Sequence, residues 1–214
     1  MGSYLLIRHG ESNINVAGTL SDETDKNPLT ETGIKQARRT GEQLKDLKFD
    51  GIISSPIKRA YETAKIISEY VNLDIKTDNR LREIGLGNAN GHNINEFLDH
   101  LYPDSHITGD IRKKIEMEDW DKLILRIKDC MNDYNGRYIF VSHSDPIRAI
   151  GSYYLGFNEN DSYGISIKNA SMTAISENNV LCLGAINIDN KIKLLFEWFF
   201  ICCNFFTYIY IYPF

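Results

Sequence analysis

Four short segments of the chain carry side chains able to do chemistry. They are Arg8-His9-Gly10-Glu11-Ser12, Ser54-Ser55-Pro56 with Arg59 and Ala60 following, Leu81-Arg82-Glu83-Ile84 with Gly87 and Gly91 beyond, and Ser142-His143-Ser144. A neutral imidazole is a competent nucleophile at pH 7, since its ordinary pKa is about 6.5. Attack on phosphorus would give a phosphohistidine and divide a transfer into two easier steps. Charge then spreads over the equatorial oxygens, so such a reaction needs fixed cations around the phosphoryl group. Arg8 and Arg59 offer planar forks that pair bidentately with those oxygens. His143, if protonated, adds a donor, backbone N–H groups near Gly10 and Ser144 add others, and Asn15 could donate its side-chain amide. A departing alkoxide needs a proton, and Glu83 is the candidate acid. That role requires a raised pKa, from burial or neighbouring carboxylates, and the same group could later activate water.

Each residue also has a plainer reading. A single histidine after a strand is commonly a hydrogen-bonded structural residue; the company of Arg8 favours chemistry for His9, and the same holds for His143. Arg59 alone would be a solvated helix residue, but a helix N-terminus is itself an anion site. Glu11 and Glu62 read as local hydrogen-bonding or surface carboxylates, and Arg80 and Arg82 as exposed. Ser54 and Ser55 read as a helix cap, because no GxSxG elbow surrounds them. His92, His100 and His106 match neither HExxH nor an i, i+4 pair, so they read as exposed and no metal site is expected. Arg112, Lys113 and Lys114 could meet a second anionic group of a substrate, or only solvate a loop.

The elements around these segments alternate. SYLLIRHG reads as a buried strand, and Thr30 as the N-cap of a helix with Ile34, Ala37, Leu44 and Leu47 on one face. GIISS is a second strand, after which Ser55-Pro56 should start a helix buried through Ile57, Ala60, Ala64, Ile67 and Val71. A short helix is expected over 93–101, and a longer one over 116–134 with Trp120, Leu123, Ile127 and Met131 inward. RYIFVSH is the third clear strand, and Pro146 should open a helix that stops at Gly156. SMTAIS, VLCLGAI and IKLLFEW are three further strand candidates. This alternation implies an α/β fold with a mostly parallel sheet covered on both faces, and the chemical segments fall where strands end, where open α/β sheets bind ligands.

With 214 residues, 43% hydrophobic and 25% charged, the chain has the composition of a soluble domain. A net charge of -5 gives no reason to expect nucleic acid or an anionic membrane as partner. Cys130 and Cys182 are isolated, and the adjacent Cys202 and Cys203 suit neither a CxxC ligand pair nor a local disulfide. Packed, reduced thiols fit a reducing compartment, and the expected location is the cytoplasm. Residues 198–214 are almost wholly apolar or aromatic. This tail could be a membrane anchor, an extra packed strand or oligomer contact (a homodimer included), or an unselected extension past a natural end. Glu197, Asn204 and a thin basic flank disfavour the anchor.

LIRHGES at 6–12, NPLTETG at 27–33, SSPIKRAYETA at 54–64, LREIGLGNANG at 81–91, VSHSDPIR at 141–148 and NASMT at 169–173 resemble, in order, the motifs of the histidine phosphatase superfamily, which includes the cofactor-dependent phosphoglycerate mutases. The resemblance implies a three-layer α/β/α sandwich over residues 1–197, with a cap insertion near 92–115 that chooses the substrate. It implies His9 as the phosphorylated nucleophile, a phosphate pocket of Arg8, Arg59 and His143 with Asn15 and Ser144 beside it, and Glu83 as the acid. The expected substrate is a small phosphorylated metabolite, with no resident cofactor or metal. IGLGNANG after Glu83 leans toward the phosphatase branch and hydrolysis of a phosphomonoester. The alternative is interconversion of 3- and 2-phosphoglycerate with 2,3-bisphosphoglycerate as phosphoryl primer. A catalytically silent phosphate-binding module is a third reading, marked by loss of an arginine or the acid, and all of these residue types are present.

Overall fold

A computed structural model describes residues 2–22, 27–93 and 109–196. They form six strands: β1 (Ser3–Arg8), β2 (Gly51–Ser54), β3 (Ile75–Thr77), β4 (Arg137–Ser142), β5 (Met172–Ser176) and β6 (Asn179–Ala185). The helices are α1 (Asn13–Ala17), α2 (Glu31–Leu44), α3 (Lys58–Val71), α4 (Gly109–Lys114), α5 (Trp120–Asn132), α6 (Ser144–Leu155), α7 (Glu159–Ser162) and α8 (Asn190–Phe196). The strand order is β3-β2-β4-β1-β5-β6. β3, β2, β4 and β1 run parallel, while β5 and β6 join antiparallel. The sheet is thus mixed, with a parallel part that carries the chemistry.

Side chains alternate across the sheet as the two-residue period of a strand requires. Leu5, Ile7, Ile52, Ile139 and Val141 face a core shared with Leu44, Ala60, Ala64 and Ile67 of α2 and α3. Leu6, Ile53 and Phe140 face the opposite core, with Leu123, Ile127, Ile147 and Ile150 of α5 and α6. The result is three layers. Among the described residues no helix is long and apolar enough to cross a membrane; the tail at 198–214 and, after Asn93, the helix expected at 93–101 lie outside them.

Three expected elements differ. α3 starts at Lys58, not at Ser55-Pro56, because the Ser55 hydroxyl accepts from Ile57 N–H at 3.2 Å and keeps that stretch a turn. α5 starts at Trp120, where Asp119 caps the N–H groups of Asp121 and Lys122. Residues 192–196 of IKLLFEW are helical rather than extended, the last two residues of that stretch lying outside those described: Ile192 and Phe196, four residues apart, are buried against the α2–α3 layer, and Phe196 lies 5.1 Å from the Phe49 ring. So short an apolar stretch, broken by Lys193, carries too little period to separate the two. β3, α1, α4 and α7 were not expected.

The Thr30 cap holds, since its hydroxyl accepts from Gly33 N–H at 3.0 Å. Gly33 has a second duty. A Cβ there would stand 1.9 Å from the Glu11 carbonyl oxygen, so only glycine lets α2 press against the loop after β1. Gly33→Ala should lower stability by about 3 kcal/mol, the upper range for forcing volume into a packed site. Chemical denaturation of the two proteins measures it, with a drop under about 0.5 kcal/mol counting against the close approach.

Candidate active site

Parallel register assembles the site. Ile7 pairs with Val141 and Arg8 with Ser142, while Ser54 pairs with Val141 from the other side. His9, Ser55 and His143 therefore leave three neighbouring strands at one level. His9 N–H donates to Ser142 O at 3.0 Å and Ser55 N–H to Val141 O at 2.9 Å. The NASMT segment backs this up: Ala170 N–H donates to the Arg8 and His9 carbonyls at 3.0 and 3.1 Å, and the Asn169 amide to His9 O at 3.1 Å.

The imidazole of His9 is almost wholly covered. Its Nδ1 lies 2.7 Å from Gly10 O, a pure acceptor, so Nδ1 carries the proton and Nε2 carries the lone pair. Arg59 Nε–H donates to that Nε2 at 3.1 Å, and its Nη2 donates to Ser21 O at 2.9 Å. Arg8 Nη1 donates to Ile167 O at 2.5 Å. Arg8 Nε, Arg59 Nη1 and His143 Nδ1 are buried and have no partner among the described residues. Two guanidiniums with unsatisfied donors beside one imidazole are costly unless an anion completes them. That is the strongest single sign of a phosphoryl site.

Burial holds the His9 pKa well below its ordinary value, and the charges of Arg59 and Arg8 push the same way, so the ring is neutral and nucleophilic at pH 7. His143 is fully covered, its ring centroid 5.1 Å from that of His9, and its Nε2 is 2.8 Å from the Ser55 hydroxyl. Burial again, with Arg59, His9 and Arg8, keeps it neutral, so the protonated form considered from sequence is not the resting one.

Glu83 lines the same cavity, of about 390 Å³, together with Arg8, His9, Asn15, Arg59 and Ser144. Burial and then the nearby Asp145 carboxylate push its pKa up to about 7, against the opposing pull of Arg59, Ile84 N–H and Arg8. Asn15 Oδ1 accepts from Ser12 N–H, Ser12 Oγ–H and Asn169 Nδ2–H at 3.0, 3.0 and 3.2 Å, which leaves its NH₂ end for a ligand. Ser144 opens α6, so its backbone N–H belongs to the electropositive end of a twelve-residue helix. All the residues expected from sequence are therefore brought to one place, His143 standing behind the cavity wall.

Other expectations need correction. Arg112 is 3% exposed and committed elsewhere: Nε and Nη2 pair with Glu159 at 2.8 and 2.5 Å, Nη2 also meets Tyr163 OH at 2.9 Å, and Nη1 donates to Glu118 O at 3.0 Å. It braces the fold instead of meeting a substrate, while Lys113 and Lys114 are exposed. Arg80 is half-buried and paired with Asp78 and Asp133, and Arg82 donates to Asp22 O at 3.1 Å, so neither simply points to water. Glu11 and Glu62 do act locally, accepting from Thr30 Oγ–H and Leu29 N–H. Ser55 does more than shape a turn, since it holds His143. Sequence reading passed over Asp145 and Arg148, an ion pair on the first turns of α6 that lines the cavity, although both sit inside VSHSDPIR. His92 is exposed as expected; His100 and His106 lie outside the described residues. No three His, Cys, Asp or Glu side chains among the described residues gather as a metal site would require.

Fold and site together define an enzyme that transfers phosphoryl groups. The chain belongs to the histidine phosphatase superfamily (branch 1), whose family model matches residues 4–180. It is 50% identical over 191 residues to a Thermoplasma acidophilum protein named 2,3-bisphosphoglycerate-dependent phosphoglycerate mutase, an alignment covering 88% of this chain and 95% of that one. Phosphoserine phosphatase 1 of Hydrogenobacter thermophilus is 30% identical over 82% of this chain and 86% of its own. Among solved structures, a mycobacterial glucosyl-3-phosphoglycerate phosphatase matches with a TM-score of 0.75 at 22% identity, over 86% of this chain and all of the other, a likeness of fold.

Proposed function

We propose that this protein is a 2,3-bisphosphoglycerate-dependent phosphoglycerate mutase working through a phosphohistidine at His9, without a metal. The observation that carries this choice within the superfamily is the 50% identity to the Thermoplasma acidophilum mutase across 95% of its length. The site chemistry supports it. His9 Nε2 attacks phosphorus, and Arg59 exchanges its bond to that lone pair for a phosphoryl oxygen. Arg8, Arg59, His143 and the Asn15 amide take the equatorial charge, with the Ser144 backbone N–H beside them. Glu83 gives its proton to the departing glycerate oxygen, then recovers one from the hydroxyl that attacks the phosphohistidine in the return step. A cavity of about 390 Å³ suits a small phosphorylated metabolite.

Hydrolysis is the second reading, and the 30% identity to a protein named phosphoserine phosphatase favours it. It differs only in the acceptor, water in place of a sugar-acid hydroxyl. A silent binding module is not favoured, because nucleophile, arginines and acid are all in place around one cavity.

The test is incubation with labelled 2,3-bisphosphoglycerate, with and without 3-phosphoglycerate. Label that enters the 2-phosphoglycerate pool and stays organic is expected. Label released mainly as inorganic phosphate, with or without acceptor, would overturn the mutase reading in favour of hydrolysis.

A further inference from the structure

Glu83 sits on a stretch, residues 83–86, that has no helix or strand to fix it. Its backbone must be held from outside, and one buried-edge ion pair does so. All five N–H groups of the Arg126 guanidinium, on α5, are used. Two go to Glu118, Nε to Oε1 at 2.7 Å and Nη2 to Oε2 at 2.9 Å. Three go to carbonyls that lead into the stretch: Nη1 donates to Arg80 O and, at 2.9 Å, to Arg82 O, and Nη2 donates to Glu83 O at 3.1 Å. Glu118 closes the clasp from the far side, its Oε2 accepting from Gly85 N–H at 2.9 Å and its own N–H donating to Gly85 O at 2.7 Å.

We propose that Arg126 and Glu118 are positioning residues that aim the Glu83 carboxyl at the oxygen leaving phosphorus. The peptide carbonyls of Arg82 and Glu83 flank the residue and both accept from Arg126, while Glu118 fixes Gly85 two residues on, so together they set the direction in which the side chain departs. A general acid must lie within hydrogen-bond reach of its target, and misplacement by about 1 Å can cost on the order of 10²-fold in rate. Only a guanidinium has five donors in one plane, so lysine cannot reproduce the clasp. This inference rests on the reading of Glu83 as the acid.

The experiment compares phosphoenzyme formation from p-nitrophenyl phosphate, whose phenolate departs without a proton, and from an alkyl phosphate. The alkyl donor is 2,3-bisphosphoglycerate, or phosphoserine if the wild type takes that instead. Arg126→Lys, Arg126→Gln and Glu118→Gln should lower the alkyl rate about 10²-fold and the aryl rate less than about 3-fold. Tungstate should still raise the melting temperature of each variant, as binding to the native state must. Parallel loss of both rates, no loss of either, or loss of the tungstate effect would each overturn the proposal, leaving the pair a fold support only. Glu83→Gln separates the two layers of inference. If it leaves the ratio of rates unchanged, the acid reading fails and positioning with it. If it shifts the ratio while the Arg126 and Glu118 variants do not, positioning alone fails.

Discussion

His9→Ala should lose phosphoryl transfer by a factor on the order of 10⁵ while the protein still folds and still binds oxyanions. Removing a covalent nucleophile removes the reaction path itself, so the residual rate comes only from binding and charge stabilisation around the phosphoryl group. Arg8 and His143 do not depend on the His9 ring for their backbone placement, since strand register and the Ala170 and Asn169 bonds set it, and Arg59 is carried by α3. Binding and chemistry therefore come apart in this variant. Arg59 Nε loses its acceptor when the imidazole goes, which adds one more unsatisfied donor to the pair already buried on Arg59 Nη1 and Arg8 Nε. An anion should then stabilise the variant against heat at least as strongly as it does the wild type. Phosphoprotein trapped after mixing with labelled donor, and released in acid as phosphohistidine is, gives the direct measure. Label retained by His9→Ala would place the nucleophile elsewhere and remove the basis of the mechanism.

The nucleophile and its arginines were readable from sequence because motif and strand end coincide. RHG, SSP and SH each follow a short apolar run, and parallel pairing of β1, β4 and β2 makes neighbours of segments far apart in the chain. Residues that act through the backbone left no such signal. Arg126 and Glu118 look like ordinary charges on and before a helix, and nothing in local composition says that their partners are the carbonyls and N–H of residues 80–85. Arg112-Lys113-Lys114 shows the converse. A charge run does not tell which member turns inward, and the one that does is held by Glu159 and Tyr163 from a helix and loop some fifty residues away. The IKLLFEW error is of a third kind, in which tertiary burial of Ile192 and Phe196 decided a period the short run could not. Asp145 was passed over because the group it acts on, Glu83, comes from a separate motif whose proximity only the fold creates, and its pair with Arg148 three residues on reads as an ordinary helix-surface pair.

Glu83→Gln should lower turnover with an alkyl phosphate by on the order of 10³-fold and remove the alkaline limb of the wild-type pH profile. The sign follows from the direction of the shift. The carboxyl is pushed up to about 7 from an ordinary 4.5, first by burial and then by Asp145. Below about 7 it is protonated and able to donate, while His9, held well below its ordinary value, remains neutral and able to attack. Wild-type turnover should thus be flat on the acid side of neutrality and fall as pH rises through about 7. The glutamine variant has nothing to titrate there, so its low rate should pass through the same interval without a break. Stability runs in the opposite sense to the usual paired carboxylate. In the unfolded chain Glu83 ionises near 4.5, but the fold resists the charge until about 7, so the wild type loses stability between those values and stays penalised above them. Glutamine carries no such cost. The variant should be close to wild type in stability at pH 4 and more stable than it at pH 8, a difference that denaturation at the two pH values would reveal. A variant that is slower yet gains stability relative to the wild type as pH rises is what a buried acid with a raised pKa predicts; one that is less stable at both would instead make Glu83 a structural carboxylate. The same site that raises the pKa to make a usable acid also sets the stability that the protein gives up at neutral pH, because both are the free energy of one buried proton.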